Sequence, residues 1–299
     1  MSGGHGHGTG SSEFTRPLAI AFGLVLSFAV VEFVAGIASG SLALTADAGH
    51  MATDALGLGM ALAAAVVSKR VRPNSEQTFG LYRIEILAAL ANAVLLLGVA
   101  TYVIVEALAR TRNPGDIDSD LMIIVAIGGL IVNLISFGLL RKGAKESLNV
   151  EGAFLEVLGD TLASVGVIVA GVVIVLTGWM TIDAIVGIAI GLFILPRAFS
   201  LARRAIRILM EVAPVGIDVE EMQDILESLP AVVEVHDLHV WTLTSDMHTT
   251  TAHLVISDGA ESHSTLDAAR DVLSSQFGID HATIQIEPES HTGCDEVAW

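Results

Sequence analysis

A six-helix membrane domain followed by a small α+β domain is the fold class this sequence predicts, and three observations predict it. Six apolar runs reach the roughly 20 residues needed to cross a bilayer. The mean hydropathy of +0.68 and a hydrophobic content of 53% belong to a membrane protein. After Pro214 the long runs give way to short alternating segments broken by turn residues.

Taken in order, residues 1–16 (MSGGHGHGTGSSEFTR) are polar and read as a flexible cytosolic arm carrying His5 and His7. The apolar run behind them is too long for the core of a signal peptide, so a first transmembrane helix is expected and no cleavable signal. Spans are predicted near 17–39, 42–67, 81–108, 121–141, 152–177 and 181–203, within a transmembrane domain at 17–210. The breaks at 39–41 and at Thr177 and Gly178 are so short that they predict helical hairpins. Gly36 with Gly40, and Gly187 with Gly191, allow close helix packing.

Orientation follows from the basic residues. Arg16, then Lys69, Arg70, Arg72 and Arg83, then Arg141, Lys142 and Lys145, then Arg197, Arg203, Arg204 and Arg207 fall on one side. The other side has only Arg110 and Arg112. Both termini are therefore expected in the cytoplasm.

In the tail, Val219 to Leu229 reads as an amphipathic helix, VVEVHDLHVWTL and HTTTAHLVIS as strands joined through Thr244 to Met247, Ser264 to Gln276 as a second helix, and HATIQIEP as a last strand. That order predicts a cytosolic α+β domain at 211–290 with its helices on one face of the sheet. Residues 291–299, with His291 and Cys294, read as a flexible end.

Charge separates the two parts. Of the net −18, residues 1–210 contribute little, with 15 acidic and 14 basic residues, whereas residues 211–299 hold 18 and one, a net of −17. The tail also holds seven of the ten histidines. Such a domain repels nucleic acid and attracts cations. With Cys294 as the single cysteine, no intrachain disulfide can form.

The second run, SLALTADAGHMATDALGLGMALAAA, carries Asp47, His50 and Asp54. Each ionisable residue at bilayer depth costs a few kcal/mol, so three in one span call for a polar or metal-filled interior. His50 and Asp54 are four apart and share one helix face. Glu156 and Asp160 repeat that spacing in the fifth run. Two such helices side by side offer four nitrogen or oxygen ligands, the coordination number of a closed zinc site. A hydrogen-bonded packing role is the plainer reading of one isolated pair, and two matching pairs argue against it. Glu85, close behind Arg83, reads as an interfacial ion pair or hydrogen bond. For Asn92, Asp183 and Glu32, and for Asp47 beside the site, cavity lining and helix bridging both stay open.

These residues resemble the cation diffusion facilitator family of divalent-metal transporters. The resemblance is carried by SLALTADAGHMATDALGL, FGLYRIEILAALANA, GAFLEVLGDTLASVGVI, VHDLHVWTL and TIQIE, in that order along the chain. It implies a transport site at His50, Asp54, Glu156 and Asp160. Many zinc-transporting members have histidine where this chain has Glu156, which hardens the site and opens it to cobalt, cadmium or manganese; His50 keeps zinc first. The resemblance also implies a ferredoxin-like, metallochaperone-like tail, a homodimer in the lipid bilayer and alternating access coupled to protons. It implies a regulatory metal site at His236, His253 and Glu287, with His239, His263 and His281 as further candidates. Zn2+ is thus substrate and regulatory ligand, and no prosthetic group is expected. A prokaryotic inner or cell membrane is the expected location. The loops SKRVRPNSEQ and RKGAKESLNVEG lack the metal ligands some relatives carry there, so no site is expected in either.

Proton coupling also follows from the local chemistry. Metal binding needs neutral His50 and ionised carboxylates, so metal and proton compete for one site. A membrane-anchored metal sensor is the rival reading, with a solvated acidic surface as the plainer account of the tail histidines. An intramembrane metalloenzyme fits less well, because a catalytic zinc keeps an open position for water.

Overall fold

The computed structural model describes residues 11–70, 78–112, 115–141, 148–244 and 247–290, except for the side chains of residues 11–19, 57–58, 60–70 and 148–156. The chain forms two compact units, one from the residues up to Ala63 with Ala88–Ala202, the other from Ala64–Leu87 with the residues from Arg203 onward.

Six long helices run along the chain: α1 (Ser11–Ser39), α2 (Leu42–Arg70), α3 (Arg83–Arg110), α4 (Ser119–Leu140), α5 (Leu148–Thr177) and α6 (Thr181–Leu209). They match the six apolar runs, with ends displaced by a few residues. The largest differences are at α1, which begins at Ser11 inside the stretch expected to be a flexible arm rather than near 17, and at α6, expected to stop near 203. Arginine is a good helix former, so the helix continues through Arg203, Arg204 and Arg207 although the apolar run has ended. Five of the helices are long and apolar enough to cross a membrane: α1 over Ile20–Ser39, α3, α4, α5 over Val157–Thr177, and α6. Among the described residues α2 is not one of them, and its first half carries Asp47, His50 and Asp54. The protein is an integral, multi-pass membrane protein.

The first unit is apolar on its outside as well as within. Val30, Val34, Val105, Ile124, Leu162 and Phe199 are all more than half exposed, as lipid-facing residues must be when the solvent is hydrocarbon. Inside, α2 is enclosed: Ala43, Leu44, Ala46, Ala48 and Met51 are fully buried. The α1–α2 hairpin turns on Gly40 at φ +70°, where a side chain would also meet the Asp116 carbonyl oxygen at 2.8 Å. A Cβ on Gly36 would come within 2.6 Å of Thr45 Oγ1, so α1 and α2 approach closely, as the small-residue pair predicts.

Asp183 bridges two helices. Its carboxylate accepts hydrogen bonds from Ser41 Oγ (2.6 Å), Leu42 N (2.7 Å) and Ala43 N (3.2 Å), and so caps the N-terminus of α2 from α6. The first amides of a helix have no partner within it, and the positive end of its dipole favours a carboxylate there.

The second unit holds α7 (Val219–Glu227), β1 (Val232–Thr244), β2 (Met247–Ile256), α8 (Ser262–Phe277) and β3 (His281–Pro288). Its sheet has the order β1-β2-β3, with β1 and β2 antiparallel and β2 and β3 parallel. The parallel pair needs a crossover, which α8 supplies. Asp218 caps α7 through the amides of Glu220 and Glu221, and α8 ends on Gly278 in the left-handed region. Met222 and Leu226 of α7 and Leu273 of α8 bury against Val235, Leu254 and Ile286 of the sheet. This is the order of elements read from the sequence.

In this unit Arg83 Nη2 pairs with Glu211 Oε1 at 2.5 Å, while Glu85 Oε2 accepts from Thr244 Oγ1 at 2.8 Å. Glu85 thus makes a hydrogen bond, in line with the reading of its place behind Arg83 as an ion pair or hydrogen bond.

Candidate metal sites

Within the first unit, His50 and Asp54 of α2 meet Asp160 of α5. His50 Nε2 lies 3.6 Å from Asp54 Oδ2 and 3.6 Å from Asp160 Oδ1, and one ligand atom from each residue falls within 4.8 Å of the other two. His50 is 1% exposed, and among the described residues neither ring nitrogen has a hydrogen-bond partner. A buried imidazole with two idle nitrogens is costly unless something is meant to bind it. At 3.6 Å the pairs are too long for good hydrogen bonds, yet close to the roughly 3.3 Å edge of a tetrahedron whose metal–ligand bonds are about 2.0–2.1 Å. Glu156 lies on α5 one turn before Asp160, and its side chain is outside the described residues.

Asp47 is fully buried beside this group, where Ser164 Oγ donates to its Oδ2 at 3.2 Å and Asn133 Nδ2 donates in turn to Ser164 Oγ at 3.3 Å. Asp47 therefore bridges α2 to α5 and, through Asn133, α4. Glu32 of α1 is also fully buried, with Asp47 and Asp160 within electrostatic reach of it. Asn92 is buried, and its Oδ1 has no hydrogen-bond partner among the described residues. Arg197 of α6, counted from the sequence only among the flanking basic residues, has its Nη1 3.4 Å from Asp54 Oδ2. Its signal was its position within a span rather than beyond one.

In the second unit, His236 on β1 and His253 on β2 are directly paired across the hairpin. Their rings meet edge-on with centroids 5.0 Å apart. Glu287 on β3 reaches both, its Oε2 3.4 Å from His236 Nε2 and its Oε1 2.9 Å from His253 Nδ1. Alternation explains the meeting: Val235, Leu254 and Ile286 point to the helices, so the next or preceding residue on each strand points to the other face. Gln285 Nε2 holds the carboxylate with a 2.7 Å bond to Glu287 Oε1.

The three lower-ranked histidines lie outside this group. A β-bulge with Asp237 at φ +49° shifts the register so that His239 pairs with Thr251, and it is exposed there. His263 is 80% exposed and stands 3.6 Å from Asp267 Oδ2. His281 packs its ring edge-on against Phe79 at 5.9 Å. His5, His7, His291 and Cys294 lie outside the described residues.

The two halves of the chain match known domains: residues 18–210 the cation efflux transmembrane domain, and residues 214–289 the cation efflux protein cytoplasmic domain. The chain belongs to the cation efflux family. It is a transporter and not an enzyme. It is 43% identical over 290 residues to the metal cation efflux system protein CzcD of Cupriavidus metallidurans, covering 96% of this chain and 90% of that one. It is 39% identical over 298 residues to the zinc transporter ZitB of Escherichia coli (97% and 95%). Against the cadmium, cobalt and zinc/H(+)-K(+) antiporter of Bacillus subtilis it is 35% identical over 293 residues (96% and 93%). A solved structure of the metal-bound C-terminal domain of the CzcD transporter is 33% identical, covering 24% of this chain and 99% of that chain with a TM-score of 0.23.

Proposed function

We propose that this protein exports Zn2+ from the cytoplasm in exchange for protons, with His50, Asp54, Glu156 and Asp160 as the transport site. It is a divalent-metal efflux transporter of the zinc type, in keeping with relatives named for zinc and for cadmium, cobalt and zinc. The observation that carries the site is the convergence of His50, Asp54 and Asp160 on one buried point of a membrane helix pair. Glu156 completes four ligands, and Co2+ and Cd2+ are the alternative cargoes its carboxylate admits. Proton exchange is supported by the name of the Bacillus relative and by the site's chemistry. Protons on His50 or on a carboxylate exclude the metal, so acid on the far side drives cargo off and loading on the near side releases protons.

His236, His253 and Glu287 form a regulatory site in a cytosolic domain of a homodimer. Two tails of net −17 repel each other, and bound dications offset that repulsion. Both termini lie in the cytoplasm, and the membrane is the cell membrane of a prokaryote, like those of the bacterial relatives.

The test is uptake into sealed proteoliposomes under an imposed pH gradient, with Zn2+, Co2+, Cd2+ and Mn2+ read separately. Zinc flux that follows the gradient and is lost in Asp160→Ala is the expected result. Flux that ignores pH overturns proton exchange. Flux retained in Asp160→Ala overturns the site. Absence of flux for every metal, with binding to the tail intact, puts a membrane-anchored sensor in its place.

A further inference from the structure

Arg197 sits inside α6, directly after Pro196 and well before the helix ends at Leu209. Its Nη1 is 3.4 Å from Asp54 Oδ2, the oxygen that also stands 3.6 Å from His50 Nε2. One carboxylate oxygen thus faces a ligand nitrogen and a cation at once. The Asp54 side chain is only 9% exposed, whereas that of Arg197 is 36% exposed, so the guanidinium reaches the site from a less buried position. It is also within electrostatic reach of His50. A guanidinium does not deprotonate in proteins. Its charge therefore stays constant while the imidazole and carboxylates beside it exchange protons for metal.

We propose that Arg197 is a tethered counter-cation of the transport site, competing with the cargo for Asp54 Oδ2. This rests on the reading of His50, Asp54, Glu156 and Asp160 as that site. Three carboxylates gathered in a membrane interior are costly without a compensating charge, and Arg197 supplies one unit of it. A dication that binds Asp54 Oδ2 must displace the guanidinium and then share the neighbourhood with a fixed positive charge, which weakens its hold. That suits a carrier, which must release its cargo in every cycle. Discrimination follows as well. A monovalent cation brings no more charge than the group it displaces, so only a doubly charged ion gains by the exchange. Arg197 is in these terms a positioning and selectivity residue acting through Asp54.

The experiment is zinc titration of the full-length protein in lipid nanodiscs, with His236 and His253 both changed to Ala so that the tail site is removed. In that background Arg197→Gln is expected to bind Zn2+ about tenfold more tightly, the scale of one partly screened charge repulsion. Its maximal flux in proteoliposomes should fall, because release becomes slow. Arg197→Lys keeps the charge and should stay within about threefold of the parent. Arg197→Met, which keeps the apolar stem, replaces the Gln variant if that one does not fold. Equal or weaker binding in the charge-removed variant overturns the proposal, as does a Lys variant that binds as tightly as Gln. Loss of a contact that merely supports the fold would weaken binding, the opposite sign. Asp160→Ala in the same background separates the two ideas. If it leaves zinc binding untouched, the transport-site reading falls and this inference with it. If it abolishes binding while Arg197→Gln changes nothing, the inference alone falls.

Discussion

His50 shows how far a single residue constrains the chemistry. An imidazole that is 1% exposed, with no hydrogen-bond partner for either nitrogen among the described residues, faces two carboxylate oxygens at 3.6 Å. That arrangement favours a borderline dication, since imidazole suits zinc and carboxylates suit harder metals. On the proposed four-ligand site, Glu156 is the position expected to choose among dications. Changing Glu156 to His removes one negative charge and adds a second borderline ligand. Zinc flux relative to manganese flux should rise by roughly tenfold. Parallel flux assays with Zn2+, Co2+, Cd2+ and Mn2+ check this, and an unchanged metal profile would show that the position does not select. His50, Asp54 and Asp160 were legible in the sequence because ionisable residues stand out in an apolar run and a four-residue spacing fixes a shared helix face. Arg197 was not. Its place within the predicted span 181–203 marked it, but a basic residue in the later part of a span reads as an interfacial flank, and only the packing of α6 against α2 shows it beside Asp54.

At the scale of elements, α2 depends on α6 for its start. Helix caps are usually supplied by the residue just ahead of the first turn, but here Asp183 lies 142 residues along the chain from Ser41. No local pattern could announce such a cap, so from the sequence Asp183 could equally bridge helices or line a cavity. The physical consequence is that α2, which carries His50 and Asp54, is tied to α6, which carries Arg197. Asp183→Ala leaves Ser41 Oγ and the amides of Leu42 and Ala43 without their acceptor in a buried place. Lost charge-assisted bonds of this kind cost about 2 kcal/mol or more. The melting temperature of the purified protein in detergent should drop, and Asp183→Asn, which restores one acceptor oxygen, should recover part of the loss. A melting temperature equal to the parent's would show that the cap is dispensable. The tail elements were more legible than the caps, because alternation and turn residues are local signals. The exception is the bulge at Asp237, which sets His239 opposite Thr251 on the face of His253, where alternation counted from His236 would have turned it to the other face. Strict alternation gives no warning of an inserted residue.

For the whole molecule, charge separates the two parts: a transmembrane region near balance and a tail of net −17. An acidic domain of that size resists approach by a second copy unless cations intervene. The group best placed to bind them joins all three strands, since His236, His253 and Glu287 come from β1, β2 and β3 in turn. A dication there draws three strands to one point and removes charge at the same time, so metal should make a dimeric tail more compact. Changing His236 and His253 together to Ala removes both nitrogen ligands and leaves the helix-facing residues Val235 and Leu254 in place. The fold should therefore survive. Small-angle scattering of the full-length protein in nanodiscs, with and without added Zn2+, reads the consequence. The parent should contract on adding zinc and the double variant should not, while zinc flux in proteoliposomes falls severalfold but persists, because His50, Asp54 and Asp160 are untouched. Contraction that survives in the variant would move metal sensing away from these strands. Complete loss of flux would mean that the tail group takes part in transport itself, and that the two metal sites form one device.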